Sequence, residues 1–257
     1  MDPTERGVLY PARLPIMVRL AAPGRVAALV RWFWIPEWHI AAGRTSRQHI
    51  IAFPACNLVV EPDTVGFSGP TTRVSHRDLT GTGWAVGALL QPAAVPHLVE
   101  DPAALRDGAR PMALPDLADP VRRAMAGTDD RHARAVDAFV DWLVATVPEP
   151  TRDGLLANAM ASLIETDDDI RTVEDLAERT HLSVRTLQRL AHRHVGLPPL
   201  AMIRRRRLQQ AAERLRADPG ASLAAVAADL GFSDQAHLAN EFRTVLGLTP
   251  SGYRQGR

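Results

Sequence analysis

Leu176-Ala177-Glu178-Arg179-Thr180-His181-Leu182-Ser183 is answered fifty residues later by Val226-Ala227-Ala228-Asp229-Leu230-Gly231-Phe232-Ser233. At this offset Ala177 meets Ala227, Leu182 meets Phe232 and Ser183 meets Ser233. At an offset of 51, Leu187 meets Leu238, and Gly196-Leu197-Pro198-Pro199 meets Gly247-Leu248-Thr249-Pro250. One extra residue therefore sits just after the second serine. An internal repeat of this length, built of short helices with a tight turn in each copy, has few structural readings.

Each copy has the anatomy of a helix-turn-helix. Thr172 can cap a helix over Val173 to Arg179, with Glu174 and Asp175 favourable in its first turn. Leu176 and Ala177 face inward, and the small Ala177 lets a second helix cross closely. Thr180-His181-Leu182 turn the chain, and Ser183 caps a helix running to about His194. In the second copy Ser222 caps Leu223 to Asp229, and Leu230-Gly231-Phe232 turn. Either Ser233 or Asp234 caps the next helix. Gly231 can take a positive φ at little cost.

The second helix of such a unit is the one that enters a major groove. On the helix from Val184, Leu187, Leu190 and Ala191 form the buried stripe. Arg185, Gln188, Arg189, His192 and Arg193 occupy i, i+3, i+4, i+7 and i+8, the opposite stripe. Arginine and glutamine suit bidentate contacts with guanine and adenine edges. A solvated charged face would have the same composition; the position within a repeated helix-turn-helix favours DNA. The second helix of the second unit sets Ala236, Asn240, Arg243 and Thr244 opposite Leu238, Phe242 and Val245, flanked by Gln235 and His237. With one arginine, and the acid Glu241 nearby, it is expected to discriminate bases less. The candidate DNA-binding set is thus Ser183, Arg185, Gln188, Arg189, His192, Arg193, Gln235, Ala236, His237, Asn240 and Arg243.

These residues resemble the DNA-binding domain of AraC/XylS-type transcription regulators. The matching features are Leu176-Ala177, Ser183 followed by Leu187-Gln188-Arg189, Gly196, and Arg207-Leu208 leading to Ala211 and Leu215. In the second unit they are Val226-Ala227, Gly231-Phe232, Phe242-Arg243, Gly247, Pro250 and Tyr253-Arg254. The resemblance implies seven helices, a long central helix joining two units, and binding to adjacent major grooves on one face of DNA. The chain departs from the pattern at Ala191, where an aromatic residue is usual, and at Asn240-Glu241, where a basic residue is common.

Charge follows the same division. Residues 170–257 hold 14 arginines against 8 acids, a balance of +6, whereas residues 1–169 stand at −5 within a net charge of +1. A basic C-terminal third suits a polyanionic partner. All basic residues are arginine, which carries no functional weight. Arg204-Arg205-Arg206-Arg207 falls on the connecting helix, where four consecutive residues sweep most of the way round. One or two can meet phosphate, the others pairing with acids or meeting solvent; Arg207 reads as structural.

Working towards the N-terminus, Pro148-Glu149-Pro150 makes a natural boundary. Before it, Ala135, Phe139, Trp142 and Leu143 recur at helical spacing between Arg131 and Val147. This amphipathic stripe is expected either to make a homodimer or to pack on its own domain. The first ~90 residues lack helical periodicity. His49 to Phe53, Asn57 to Val60 and Trp84 to Leu90 read as strands, with Pro62-Asp63, Gly69-Pro70 and Gly81-Thr82-Gly83 as turns. Gln91-Pro92 opens a short helix to about Glu100, and a Pro-rich stretch follows. The segment from His49 to Leu114 loosely resembles domains found ahead of this DNA-binding domain in some regulators, on Phe53-Pro54-Ala55-Cys56-Asn57-Leu58, Gly69-Pro70-Thr71 and Gln91-Pro92-Ala93-Ala94. That implies a small β-rich sensing or dimerising domain. Trp32, Trp34, Trp38 and Trp84 could line a ligand pocket or serve as core.

The expected fold is α+β. A β-rich, barrel-like domain with helices spans 1–147, and an all-α domain of two helix-turn-helix units joined by a long helix spans 151–257. Composition, 46% hydrophobic and 23% charged, is that of a folded globular chain rather than a disordered one. The start Met1-Asp2-Pro3-Thr4-Glu5-Arg6 lacks a secretory pattern, and no apolar stretch reaches the ~20 residues of a membrane span. A cytoplasmic regulator of promoter DNA is expected, with no cofactor and no metal. It would answer to a small-molecule effector or partner, and would meet RNA polymerase if it activates. Cys56, the single cysteine, reads as buried and structural. A DNA-repair alkyltransferase carrying the same module would need it reactive. A non-selective architectural DNA binder is the third reading.

Overall fold

The computed structural model describes residues 16–50 and 54–255. Nine strands come first: β1 (Ile16–Ala21), β2 (Val30–His39), β3 (Ser46–Ile50), β4 (Asn57–Val60), β5 (Val65–Ser68), β6 (Ser75–Leu79), β7 (Thr82–Trp84), β8 (Val86–Leu90) and β9 (Ala109–Pro111). Every pairing is antiparallel, in the order β1-β2-β8-β4-β5-β9, with β7 also on β2 and a separate β3-β6 ladder. The expected strand at His49 begins inside β3, and its residues 51–53 lie outside the described part. The β4-β5 hairpin turns at Pro62-Asp63 as expected, closed by Glu61 N–H donating to Thr64 O.

β1 and the ten-residue β2 are absent from the strands read in the sequence. β2 carries Pro36 and three tryptophans, so its run shows no clean alternation. Instead Trp34 lies across Gly87 and Trp38 across Gly83; a Cβ at Gly87 would sit 2.1 Å from the Trp34 indole and one at Gly83 2.5 Å from Trp38. Glycine is required there because the indoles occupy the space a side chain would need. Trp34 also donates to Asn57 Oδ1 and Trp38 to Thr80 O.

Helices follow: α1 (Val95–Leu98), α2 (Pro115–Ala126) and α3 (Arg131–Thr146). The Pro-rich stretch conceals α2. Pro115 stands in the first turn, where its missing N–H costs nothing, and Leu117, Ala118, Val121, Ala124 and Met125 keep a helical stripe despite Pro120. The α3 stripe is buried in its own domain: Phe139 packs on Phe33 at 5.4 Å between ring centroids and edge-on to Trp142 at 6.4 Å. The dimer expected through this stripe is therefore corrected, because Ala135, Phe139, Trp142 and Leu143 are already covered by the β-domain and α2.

The C-terminal part is all helix: α4 (Arg152–Thr166), α5 (Val173–Thr180), α6 (Val184–His194), α7 (Pro199–Ala217), α8 (Leu223–Asp229), α9 (Gln235–Leu246) and α10 (Pro250–Gln255). It has two cores. Met160, Ile164, Leu176, Leu187 and Ala191 close one with Met202 and Ile203 from the start of α7. Leu208, Ala211 and Leu215 from the end of α7 close the other with Val226, Phe232, Leu238, Phe242 and Tyr253. One helix thus serves as a wall of both units.

Candidate nucleic-acid interface

Local capping sets where the helices of each unit start. Thr172 Oγ1 accepts from Asp175 N–H at 3.1 Å, while the Asp175 carboxylate accepts from Thr172 N–H and Arg171 N–H. Burial opposes ionisation of Asp175, yet these bonds hold its carboxyl below the usual range. α5 ends with His181 at φ 55°, and the matching position of the second unit is Gly231 at φ 70°. The turn needs a left-handed residue in both copies, and the glycine meets it with less strain. Ser183 Oγ accepts from Thr186 N–H, and Ser222 caps α8. At α9 the cap is Asp234, which accepts from His237 N–H at 2.7 Å.

α6 is sharply two-sided. Leu187, Leu190, Ala191 and His194 are buried, while Arg185, Gln188, Arg189, His192 and Arg193 are all exposed along one face. Ala191 is fully buried in the core of the first unit. Arg189 is not idle: its NH1 donates to Asp153 Oδ2 at 2.8 Å, in the first turn of α4. That bond is the main reason the Asp153 carboxyl lies below its usual range. On α9, Gln235, Ala236, His237, Asn240 and Arg243 are exposed. Two of them pair with each other, Arg243 donating to Asn240 Oδ1 at 2.9 Å, and His237 Nδ1 lies 3.1 Å from Ser233 Oγ. Ser183, by contrast, spends its oxygen on the helix cap.

The arginine run divides sharply. Arg204 is exposed. Arg206 Nε donates to Glu165 O at 2.7 Å and its NH2 approaches Asp168 at 3.4 Å. Arg207 Nε donates to Leu230 O, and its guanidinium lies 4.1 Å from the Phe232 ring centroid, a structural role that fixes α7 on the second unit. Arg205 is 4% exposed, so it does not meet solvent as the helix position allowed. Burial pushes its guanidinium down to about 10.

The N-terminal domain seats on the first unit. Asn158 of α4 donates to Ala28 O and accepts from Ala93 N–H, both at 2.8 Å. Gly154 packs on Ala93. Arg31 pairs with Glu165. His194 Nδ1 meets Pro92 O at 3.1 Å, and Arg106 donates to Gly196 O at 3.0 Å. A cavity of about 40 Å³ lies between the parts, lined by residues including Cys56, Gln91, Ile164, His194 and Gln209. None of Trp32, Trp34, Trp38 and Trp84 lines it. Cys56 is 1% exposed, and burial pushes its thiol up to about 12. No local signal in the sequence announces this contact surface, since each of its bonds joins residues far apart in the chain.

Two helix-turn-helix units with exposed second helices define a helix-turn-helix protein. Residues 176–256 match the family model of a helix-turn-helix domain, and residues 19–108 match a domain of unknown function, DUF6597. An AraC-like transcription regulator of Streptomyces antibioticus is 33% identical over 122 residues, 48% of this chain and 38% of that protein. The transcriptional activator RhaS of Escherichia fergusonii is 39% identical over 84 residues, 33% of this chain and 30% of that protein. The matched region spans about a third of the length of these relatives. Among solved structures, ToxT from Vibrio cholerae O395 aligns over 93% of this chain and 95% of that one, at 10% identity and a TM-score of 0.40. Residues 176–256 form a helix-turn-helix domain, similar in sequence to those of AraC-like regulators. Among the described residues no helix is long and apolar enough to cross a membrane.

Proposed function

We propose that the protein is a sequence-specific transcription regulator that reads promoter DNA with α6 and α9 in adjacent major grooves. The observation that carries this reading is the α6 stripe: five long polar side chains, Arg185, Gln188, Arg189, His192 and Arg193, exposed on the outer face of the second helix of a helix-turn-helix unit. α7 supports it. Its 19 residues span about 28 Å, close to the ~34 Å repeat of a major groove along one face of DNA. α9 contributes less discrimination, because Asn240 and Arg243 first satisfy each other.

The functional division runs at Pro148-Glu149-Pro150, with residues 1–147 as the controlling domain and 151–257 as the DNA-binding domain. Control through the N-terminal domain is favoured by where it seats: on α4 and on the C-terminal end of α6, the helix that reads. A small-molecule effector acting on that domain would bias this seat. Alkyl transfer is disfavoured, since a buried thiol pushed up to about 12 is the opposite of a nucleophile in waiting. The test is selection of bound fragments from random double-stranded DNA by the full chain. A single enriched site carrying two contacted segments one helical turn apart is expected. Salt-dependent retention with no enriched sequence would support an architectural binder instead.

A further inference from the structure

The two reading helices end on glycines that correspond in the repeat, Gly196 and Gly247, at φ 82° and 72°. The N-terminal domain touches both. A Cβ at Gly196 would lie 2.6 Å from the Pro102 carbonyl carbon, and one at Gly247 3.0 Å from Val74 Cγ2. Arg106, four residues after Pro102, donates to Gly196 O.

The segments that supply these contacts, 69–74 and 102–108, are distant in sequence but bonded as one piece. Asp107 is the hub. Its Oδ1 accepts from Thr72 N–H at 2.5 Å and Arg73 N–H at 3.2 Å, and its Oδ2 accepts from the Thr72 hydroxyl at 2.5 Å. Asp107 N–H donates to Pro70 O, and Gly69 N–H donates to Gly108 O. A Cβ at Gly69 would stand 2.1 Å from Leu105 O, so the two segments approach as closely as backbone allows. Asp107 holds φ 59°, a strained value for a non-glycine residue, and its bonds fix it there. Its charge also reaches the connector: it partly offsets the burial of the Arg205 guanidinium on α7. One bonded piece thus faces the first unit, the helix between the units, and the second unit.

We infer that this bracket sets the separation and mutual rotation of α6 and α9, which makes Asp107, Thr72 and Val74 spacing-determining residues for DNA reading. The DNA part of this inference rests on the reading proposed above. One base pair added between two contact segments moves them by ~3.4 Å and turns them by ~35°. A bracketed pair of helices accepts one spacing, and a loosened pair accepts its neighbours.

Two measurements on the full chain separate the bracket from the reading. The first needs no DNA. Nitroxide labels at Glu178→Cys and Ala228→Cys, exposed and equivalent positions of the two units, report their distance by pulsed electron resonance in a Cys56→Ala background. A narrow distribution is expected for the parent, and a clearly broader one for Asp107→Ala and Val74→Ala. The second uses the DNA site enriched by the parent protein, re-made with one base pair added or removed between its contacted segments. The parent should lose about tenfold on re-spaced DNA, the scale of the cost of deforming a site, and Asp107→Ala or Thr72→Val about threefold or less. Folded variants with the parent's narrow distance distribution would overturn the bracket. A broadened distribution with an unchanged spacing penalty would overturn its role in DNA reading. If no sequence is enriched, the reading fails while the distances still test the bracket. If Asp107→Ala does not fold, Val74→Ala, which trims the contact at Gly247, decides.

Discussion

Replacing Asn158 by alanine tests how firmly the two parts of the chain are joined. The Asn158 amide of α4 bonds twice across the junction, to Ala28 O and from Ala93 N–H. Each bond contributes about 1 kcal/mol net. Ala93 is 2% exposed, so its N–H has no ready water once the acceptor is gone, and stranding it adds about 1 kcal/mol or more. The half-buried Ala28 carbonyl recovers hydration more easily. The expected loss is about 2–3 kcal/mol, or roughly 4–12 °C in Tm for a chain of this size. Thermal and urea unfolding of the full chain, followed by circular dichroism, measure it. Leu155→Ala on the same helix, 51% exposed, should cost no more than about 0.5 kcal/mol and serves as the control. Equal behaviour of the two variants would refute the claim that the junction is held at this point.

Three further outcomes follow from the same geometry. His194 is buried, and burial lowers its pKa, so the unfolded chain binds a proton below about pH 6.5 that the native state resists. Stability should fall as pH drops from 7.5 to 5, and less so in His194→Asn, which keeps a donor near Pro92 O; parallel curves would contradict this. Cys56, with its thiol pushed up to about 12, should be about one part in ten thousand thiolate at pH 8 and resist iodoacetamide until the chain is unfolded; rapid native alkylation by mass spectrometry would contradict the burial. Asp153→Asn removes a carboxylate beside Arg189, so stability should hardly change while non-specific DNA binding tightens; weaker binding to all DNA would show that Asp153 supports the interface.

The C-terminal helices were legible because their signals are local. The caps at Thr172, Ser183 and Ser222, the turn at Gly231 and the stripe Leu187-Leu190-Ala191 each act within a few residues, and the repeat states them twice. The N-terminal domain was less so. β2 hides its pairing because Trp34 and Trp38 are placed by glycines on partner strands rather than by alternation, and α2 hides behind Pro115 and Pro120. Spacing alone left the α3 stripe open between a second copy and its own sheet; Phe33, a hundred residues upstream, settles it. Exposure of the α6 stripe followed from periodicity, whereas the Asp153 partner of Arg189 and the burial of Arg205 depend on packing between distant parts of the chain, which no local pattern encodes.

The central claim is that α6 reads bases rather than merely attracting phosphate, and Arg189→Ala tests it most directly. Binding is measured on the enriched site and on a scrambled duplex over a salt series. Loss of about 1–3 kcal/mol on the enriched site, relaxed preference at one base position and a much smaller loss on scrambled DNA are predicted. Arg204→Ala, on the exposed side of α7, should instead weaken both duplexes alike and lower the salt slope by about one if it meets phosphate. Equal losses on both duplexes for Arg189→Ala would mean that α6 does not lie in the groove.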